Sequence, residues 1–427
     1  MSASTVLSHI RFISNQLPRK RYVINMCQDR YAFLVGFAAA LFHNQTTLLP
    51  PNQTPDILQQ LLSQYPDSYY MTDGQERVAG LEGITLNLDT HSDREPIENP
   101  QFSDSHVAAI AFTSGTTGTP RPNPKTWGSM VQIAKKTGER LAFSKNDPVT
   151  IVATVPHQHM YGLETSIMLP LQHGWSIHSG RPFFPEDIAS ALSKQQSQQI
   201  LVSTPIHLRA CTLAQSRFPD VAYTLSATAP LSKHVAEQVE MLFHTTMVEI
   251  YGFAEAGTIA TRRPVQENHW TLLRELALLT HADGYAVSTP YFPEPIPIPD
   301  TIQSSHPQQF TLKGRPNHLI NIGGHRVSLD DLNVKLLSIE GVVDGVFYMP
   351  EEKQESVTRL VAFVVAPGKT PASILATLRK KISHVFLPRP IYLVDVLPRN
   401  HTGKLVKEAA ETFMQAQTPS PSSPSTR

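Results

Sequence analysis

Three stretches of this sequence hold side chains whose types and spacing suit chemistry. Thr113 to Pro120 reads TSGTTGTP and directly follows an apolar, β-branched run. Its two glycines let the backbone turn tightly and present N–H groups, and the hydroxyls of Thr113, Ser114, Thr116 and Thr117 add donors suited to phosphate oxygens. The stretch lacks the Gly-Lys-Ser/Thr ending of a Walker A loop, and the competing reading is a flexible hairpin turn of small polar residues. His157 and His159 form a His-x-His pair in PHQHMYGL. They read either as metal ligands without an evident third or as ordinary hydrogen-bonded histidines. LPRNHTGKLVKE, Leu397 to Glu408, sets Lys404 before an amphipathic helical pattern. Cys27 and Cys211 are the only cysteines and show no CxxC or Cys/His pattern, which argues against a disulfide framework or a zinc site.

The elements that must position these residues are legible in the hydrophobic pattern. Up to about residue 250, short β-branched runs alternate with longer helical patterns, as in HVAAIAF (106–112) followed by SMVQIAKKTGERLAF (129–143). Further strands are expected at 150–155, 199–204, 222–228 and 246–252, each ending near Gly, Pro, Ser or Thr. Parallel strands joined by helices bind ligands in the loops at their carboxyl ends, where the motifs above fall. The proline-dense stretch 286–300 is read as an irregular connection, neither a continuous helix nor a central strand. From Pro316 onward the pattern becomes that of a small α+β domain. Ser328 and Asp331 open a helix, strands follow at VVDGVFYM and RLVAFVVA, Thr370-Pro371 opens a second helix, and the strand IYLVDVL closes the series. Ile374, Leu375, Leu378 and Ile382 share one face of that second helix.

Composition narrows the class. At 427 residues, two or three domains are expected. Equal numbers of basic and acidic residues, 36 each, leave no excess charge for gripping nucleic acid or an anionic membrane. The N-terminus lacks a signal-peptide pattern, and the longest apolar stretch, Tyr31 to Phe42, is too short to span a bilayer and reads as a buried helix. These features lead us to expect a soluble protein of a reducing, cytoplasmic compartment, with a disordered tail at its end.

In their order along the chain, these stretches resemble the adenylate-forming superfamily: acyl- and aryl-CoA synthetases, peptide-synthetase adenylation domains and firefly luciferase. Its phosphate loop resembles TSGTTGxPKG with Thr-His a few residues on; here Arg121 keeps the positive charge, while Pro122 and Trp127 replace a glycine and a histidine. Gly115 and Gly118 match the loop glycines. A Pro-x-x-His segment followed by Gly is matched by Pro156, His159 and Gly162, which implies His159 at an acyl pocket. SATAPL (226–231) is similar to Ser-Gly-Gly-Ala-Pro-Leu, a stretch that packs against adenine and the acyl group, with Ala227 and Thr228 in place of the glycines. Thr228, Ala229 and Pro230 are thereby expected at the nucleotide, and Thr228 and Gly252 at the acyl pocket.

YGFAE, Tyr251 to Glu255, resembles the family's adenine-contacting segment. The resemblance implies Tyr251, Gly252, Phe253 and Ala254 beside the nucleotide, and Glu255, with Thr117, on Mg2+. Ala254 stands where the family has a threonine that touches the α-phosphate, so the expectation is that Thr258 or the phosphate loop compensates, or that turnover is lower. Asp300 and Arg315 match the ribose-binding pair. GRPNHLINIGGHRVSLDDL (314–332) resembles GRxDDxIKxxGxRIxxxEI, with Asn317 at the hinge, His318 at the second acidic position and Asn321 at the lysine. Gly323, Gly324 and His325 fall on the loop that borders the thiol tunnel.

LPRNHTGK is close to the family's C-terminal lysine signature and makes Lys404 the catalytic cation: when a carboxylate attacks the α-phosphorus of ATP, two anions meet and negative charge grows. The implied fold is α/β: a large N-terminal domain of parallel sheets with helices on both faces (1–315), a small mobile α+β C-terminal domain (316–414) and a tail (415–427). The implied activity is ATP-dependent acid:thiol ligation, with CoA or the 4'-phosphopantetheine of an acyl carrier protein as acceptor. The front and the Glu255–Asp300 interval are short for the family. Such compact forms resemble ligases of bacterial aryl-polyene and xanthomonadin-type pigment pathways, where an aromatic acid is loaded onto a carrier protein. The motif departures leave a second alternative, a non-catalytic relative that binds nucleotide or carrier protein.

Overall fold

The computed structural model describes residues 1–88, 99–114, 120–144, 146–281, 284–314, 319–322, 325–349 and 360–399, with Leu405, Phe413 and Ala416. Two large sheets form the body of the described chain. The first has six strands in the order Gly83–Thr85, Ser68–Thr72, Tyr22–Asn25, Thr46–Leu49, Val107–Ser114 and Pro120–Thr126. All its pairings are parallel except the last, an antiparallel hairpin that leads into and out of the TSGTTGTP stretch.

The second sheet has nine strands, with Thr246–Phe253, Tyr223–Ser226, Gln198–Ser203, Val149–Ala153 and Ser176–Ile177 adjacent and parallel. Antiparallel strands Gly257–Arg262, Trp270–Leu272, Gln309–Gly314 and Thr301–His306 extend it on the other side. The expectation of parallel sheets therefore holds for the α/β core, and short-range chain reversals add antiparallel margins. Neighbours along a strand divide between two apolar cores: Val152, Leu201 and Met247 join one, while Ile151, Ile200 and Val248 join the other. Burial on both faces is why these strands read as continuous apolar runs.

The helix Arg30–Phe42 is apolar on nearly every side and is buried accordingly. Asp29 caps it by accepting from the Ala32 N–H at 3.0 Å. Its first residue, Arg30, is wholly buried. The Arg30 guanidinium donates to Ser166 Oγ and to the carbonyls of His178, Gly180, Ala153 and Val155, tying the first sheet's helix to loops of the second.

Three sequence readings are corrected. The helix expected over 129–143 spans Trp127–Gly138, starting at a Thr126 cap and giving way to turns beyond Gly138. The proline-dense stretch 286–300 is strand at its start, in Gly284–Ser288, and again at Ile296–Pro297; the residues between and the last three, 298–300, are irregular. Pro297 is tolerated because its strand lies at the margin of a three-stranded sheet. In the C-terminal part, Ser328 caps the helix Leu329–Leu337 through the Asp330 N–H, without the reciprocal pairing to Asp331.

That small domain otherwise follows its pattern. Asp344–Tyr348, Val361–Val365 and Ile391–Leu393 form a sheet, and the Thr370-capped helix Pro371–Leu378 buries Ile374 and Leu378 against it. Ile382 is buried beyond the helix end. Among the described residues, no helix is long and apolar enough to cross a membrane.

Candidate functional site

Three parallel strands of the second sheet, the last two adjacent, deliver the central landmarks at their carboxyl ends, where an open α/β sheet places its ligands. Val149–Ala153 leads to His159, the N-cap of the short helix Met160–Leu163. Tyr223–Ser226 leads to Thr228, Ala229 and Pro230. Thr246–Phe253 contains Tyr251, Gly252 and Phe253 and leads to Ala254 and Glu255. Ser226 pairs with Glu249, so the second and third sets are side by side.

Tyr251 and Asp300 meet although 49 positions separate them: the phenol donates to Asp300 Oδ2 at 2.6 Å. The Tyr251 ring is 9% exposed, packed on Phe253, Trp270 and Phe310. Gly252 is exposed, and a Cβ there would lie 2.3 Å from the Gly257 carbonyl oxygen. Only glycine fits this irregularity between the two strands, so the backbone is left bare on its open side.

Thr228 has φ 79, a left-handed backbone that a β-branched residue adopts only at a cost. This accounts for the glycine the motif ordinarily carries there. Ala229 and Pro230, the next two residues, are exposed.

Thr113 and Ser114 end the hairpin's first strand opposite Arg121 and Pro120. Arg121 is exposed. Gly115, Thr116, Thr117 and Gly118 lie outside the described residues, as do Arg315, Asn317, His318, Gly323, Gly324 and Lys404. Asn321 and His325 fall on the paired strands Leu319–Ile322 and His325–Ser328.

The metal-pair alternative for the histidines finds no support among the described residues, where no group of three or more His, Cys, Asp and Glu could hold an ion. His157 is buried and its Nε2 donates to the Cys27 carbonyl at 2.9 Å; burial and the nearby Arg30 push its pKa down to about 3. The expected compensation for Ala254 by Thr258 is also corrected. Thr258 is buried, and both its hydroxyl and its N–H are donated to Glu164 Oε2, at 2.6 and 3.0 Å. Cys27 and Cys211 are buried, and burial raises both thiols, Cys211 to about 12.

Glu255 fits a magnesium site by the chemistry of its donor: a half-buried carboxylate, the hard oxygen ligand that Mg2+ takes. Among the described residues its carboxylate makes no ion pair or hydrogen bond, and the Lys125 ammonium lies near enough to feel its charge. Sequence reading missed two buried charges beside it, Lys125 and Glu164. Their signal was a lysine inside a strand and a glutamate inside an apolar helical run.

A family model described as AMP-binding enzyme matches residues 15–277, and one described as AMP-binding enzyme C-terminal domain matches residues 336–404. A 4-coumarate–CoA ligase of Rhodobacter capsulatus is 28% identical over 273 residues, 64% of this chain and 67% of that protein. A 3,4-dihydroxybenzoate–[aryl-carrier protein] ligase of Bacillus anthracis is 22% identical over 336 residues, 75% of this chain and 77% of that protein. The fold is shared with ATP-bound MatB from Rhodopseudomonas palustris, with a TM-score of 0.79 at 18% identity over 97% of this chain and 93% of that one. With the first of those models spanning more than half its length, the chain belongs to the AMP-binding enzyme family.

Proposed function

We propose that this AMP-forming acid:thiol ligase activates an aromatic carboxylic acid, of the hydroxycinnamate or hydroxybenzoate class, and passes it to CoA or to the phosphopantetheine thiol of an acyl carrier protein. The observation that carries the reading is the bond between Tyr251 and Asp300. It joins a purine-facing aromatic to a ribose-facing carboxylate, next to the turn that bears Glu255. The acid class follows the relatives named for 4-coumarate and dihydroxybenzoate, and the two acceptors follow their CoA and carrier-protein names.

In the first half-reaction the acid's carboxylate attacks the α-phosphorus of ATP and pyrophosphate leaves. Asp300 and Tyr251 hold the nucleoside, the hairpin's N–H groups and hydroxyls, with Arg121, receive the phosphates, and Thr228, Gly252 and His159 border the acyl group. Glu255 and Thr117 would hold Mg2+, which would offset phosphate charge. The boundary between the large and small domains falls at Arg315/Pro316, with Asn317 as hinge and Lys404 carried on the small domain. In the second half-reaction the thiol enters past Gly323, Gly324 and His325, attacks the acyl carbonyl and displaces AMP.

The test is acid-dependent exchange of labelled pyrophosphate into ATP across a panel of aromatic and aliphatic acids, followed by transfer to CoA or to a carrier protein. Exchange supported by aromatic acids and by none of the aliphatic ones is the expected result. Exchange with aliphatic acids alone overturns the substrate class, and no exchange with any acid overturns the activity.

A further inference from the structure

A buried cation joins the two large sheets at the edge of the site. Lys125 lies on Pro120–Thr126, the outgoing arm of the hairpin whose tip is the phosphate loop, and is 5% exposed. Its ammonium donates to the backbone carbonyl of Glu255, 130 positions away on the second sheet's side. Burial pulls its pKa down to about 8, while the negative charges of Glu164 and Glu255 act the other way.

Glu164 is the larger of those two influences and is itself only 6% exposed. Its carboxylate takes both donors of Thr258 and lies so close to Gly257 that a Cβ there would sit 2.2 Å from Oε1. Gly257, with φ +83, is thus required both by its backbone angle and by this carboxylate. Glu164 and Lys125 therefore grip opposite ends of one short turn, Glu255 to Thr258, while Lys125 also belongs to the phosphate hairpin.

A buried charge pair is a weak device for stability, since apolar side chains of similar volume do as well without the desolvation penalty. Its geometric effect here is specific. A peptide carbonyl bonded to a buried ammonium is restrained from rotating, and the Cα–Cβ direction of the same residue is restrained with it.

We propose that Lys125 is a positioning residue for metal–nucleotide binding: by holding the Glu255 carbonyl it fixes where the Glu255 carboxylate points relative to the phosphate hairpin, with Glu164 as its counter-charge. This rests on the reading of Glu255 as a metal ligand given above.

The experiment measures Mn2+ binding by electron paramagnetic resonance in the full-length protein with a non-hydrolysable ATP analogue. The variants are Lys125→Met, Lys125→Met/Glu164→Gln and, as a control on the underlying reading, Glu255→Gln. Lys125→Met is expected to weaken Mn2+ binding by about tenfold or more while the acid's KM stays within about twofold, the size seen when a group orienting a metal ligand is removed. The double variant, with no unpaired buried charge, is expected to regain the thermal midpoint lost by Lys125→Met and to keep the weakened Mn2+ binding. Mn2+ affinity that returns together with the thermal midpoint makes the pair structural only and overturns the proposal. So does unchanged Mn2+ binding in the double variant while Glu255→Gln weakens it, a result that leaves the Glu255 assignment standing. Unchanged binding in Glu255→Gln removes that assignment, and the proposal with it.

Discussion

Thr228 holds a left-handed backbone without being glycine. Replacing it by Gly removes the Cβ clash at the expense of a more flexible unfolded chain. The strain term is the larger of the two, so Thr228→Gly should stabilise the protein by about 1 kcal/mol, seen as a raised denaturant midpoint at unchanged slope. A lowered midpoint would show that Thr228's own contacts outweigh the strain. His157 and His207 make the opposite kind of contribution: burial depresses their pKa values to about 3 and about 4 from 6.5. Between pH 6.5 and those values the unfolded chain takes up protons that the fold refuses. Stability is therefore whole above about pH 6.5 and is lost as pH falls below it, by up to about 1.4 kcal/mol per pH unit for each histidine. His157→Gln should flatten the acid limb of a stability–pH curve, and an unchanged slope would argue against a buried neutral imidazole.

The landmark residues were legible in the sequence because each lies in a short local string. Lys125 and Glu164 were not, because a lysine in RPNPKTW reads as an exposed strand position until the Glu255 carbonyl is found beside it. Thr258 was misjudged for the same reason, since its partner Glu164 is 94 positions away.

Among the elements, the helix Arg30–Phe42 shows how a charged residue can hold an apolar core together. Arg30 completes acceptors from three other segments, so its removal leaves several buried carbonyls without donors. Arg30→Met is expected to cost about 3–5 kcal/mol, measurable by denaturant unfolding, and a loss below about 1 kcal/mol would mean that water replaces the guanidinium. The π-helical turn Glu164–Met168 has a local cause. Pro170 has no N–H for the Ser166 carbonyl, while the hydroxyls of Thr165 and Ser166 bond back to Tyr161 and Gly162. Strand positions were readable because burial on both faces makes each an unbroken apolar run. Pairing direction was harder to read, since a hairpin reversal such as 114–120 leaves no trace in periodicity. The helix end at Gly138 was obscured by apolar residues that continue in the following turns.

At the scale of the whole molecule, the large and small parts touch through Arg209 on the helix Pro205–Leu213, which donates to the carbonyls of Leu337 and Val342. On the reading proposed above, the small domain must travel between the two half-reactions and carry its lysine with it. Lys404→Ala should slow adenylation at least about a hundredfold and spare thiol transfer from preformed acyl-AMP. Equal loss in both steps would refute the assigned role. Division into a large α/β part and a small α+β part was readable from the change in pattern along the chain. How the parts face one another was not, since contacts such as Arg209 to Leu337 join residues that share no local pattern.

A protein that handles a thiol as its second substrate is exposed to that substrate's oxidised form. Here both cysteines are shut inside apolar surroundings that disfavour the thiolate. The chain thus offers no sulfur with which a stray disulfide could exchange, and it is built to work in a pool of reactive thiols without becoming tethered to one.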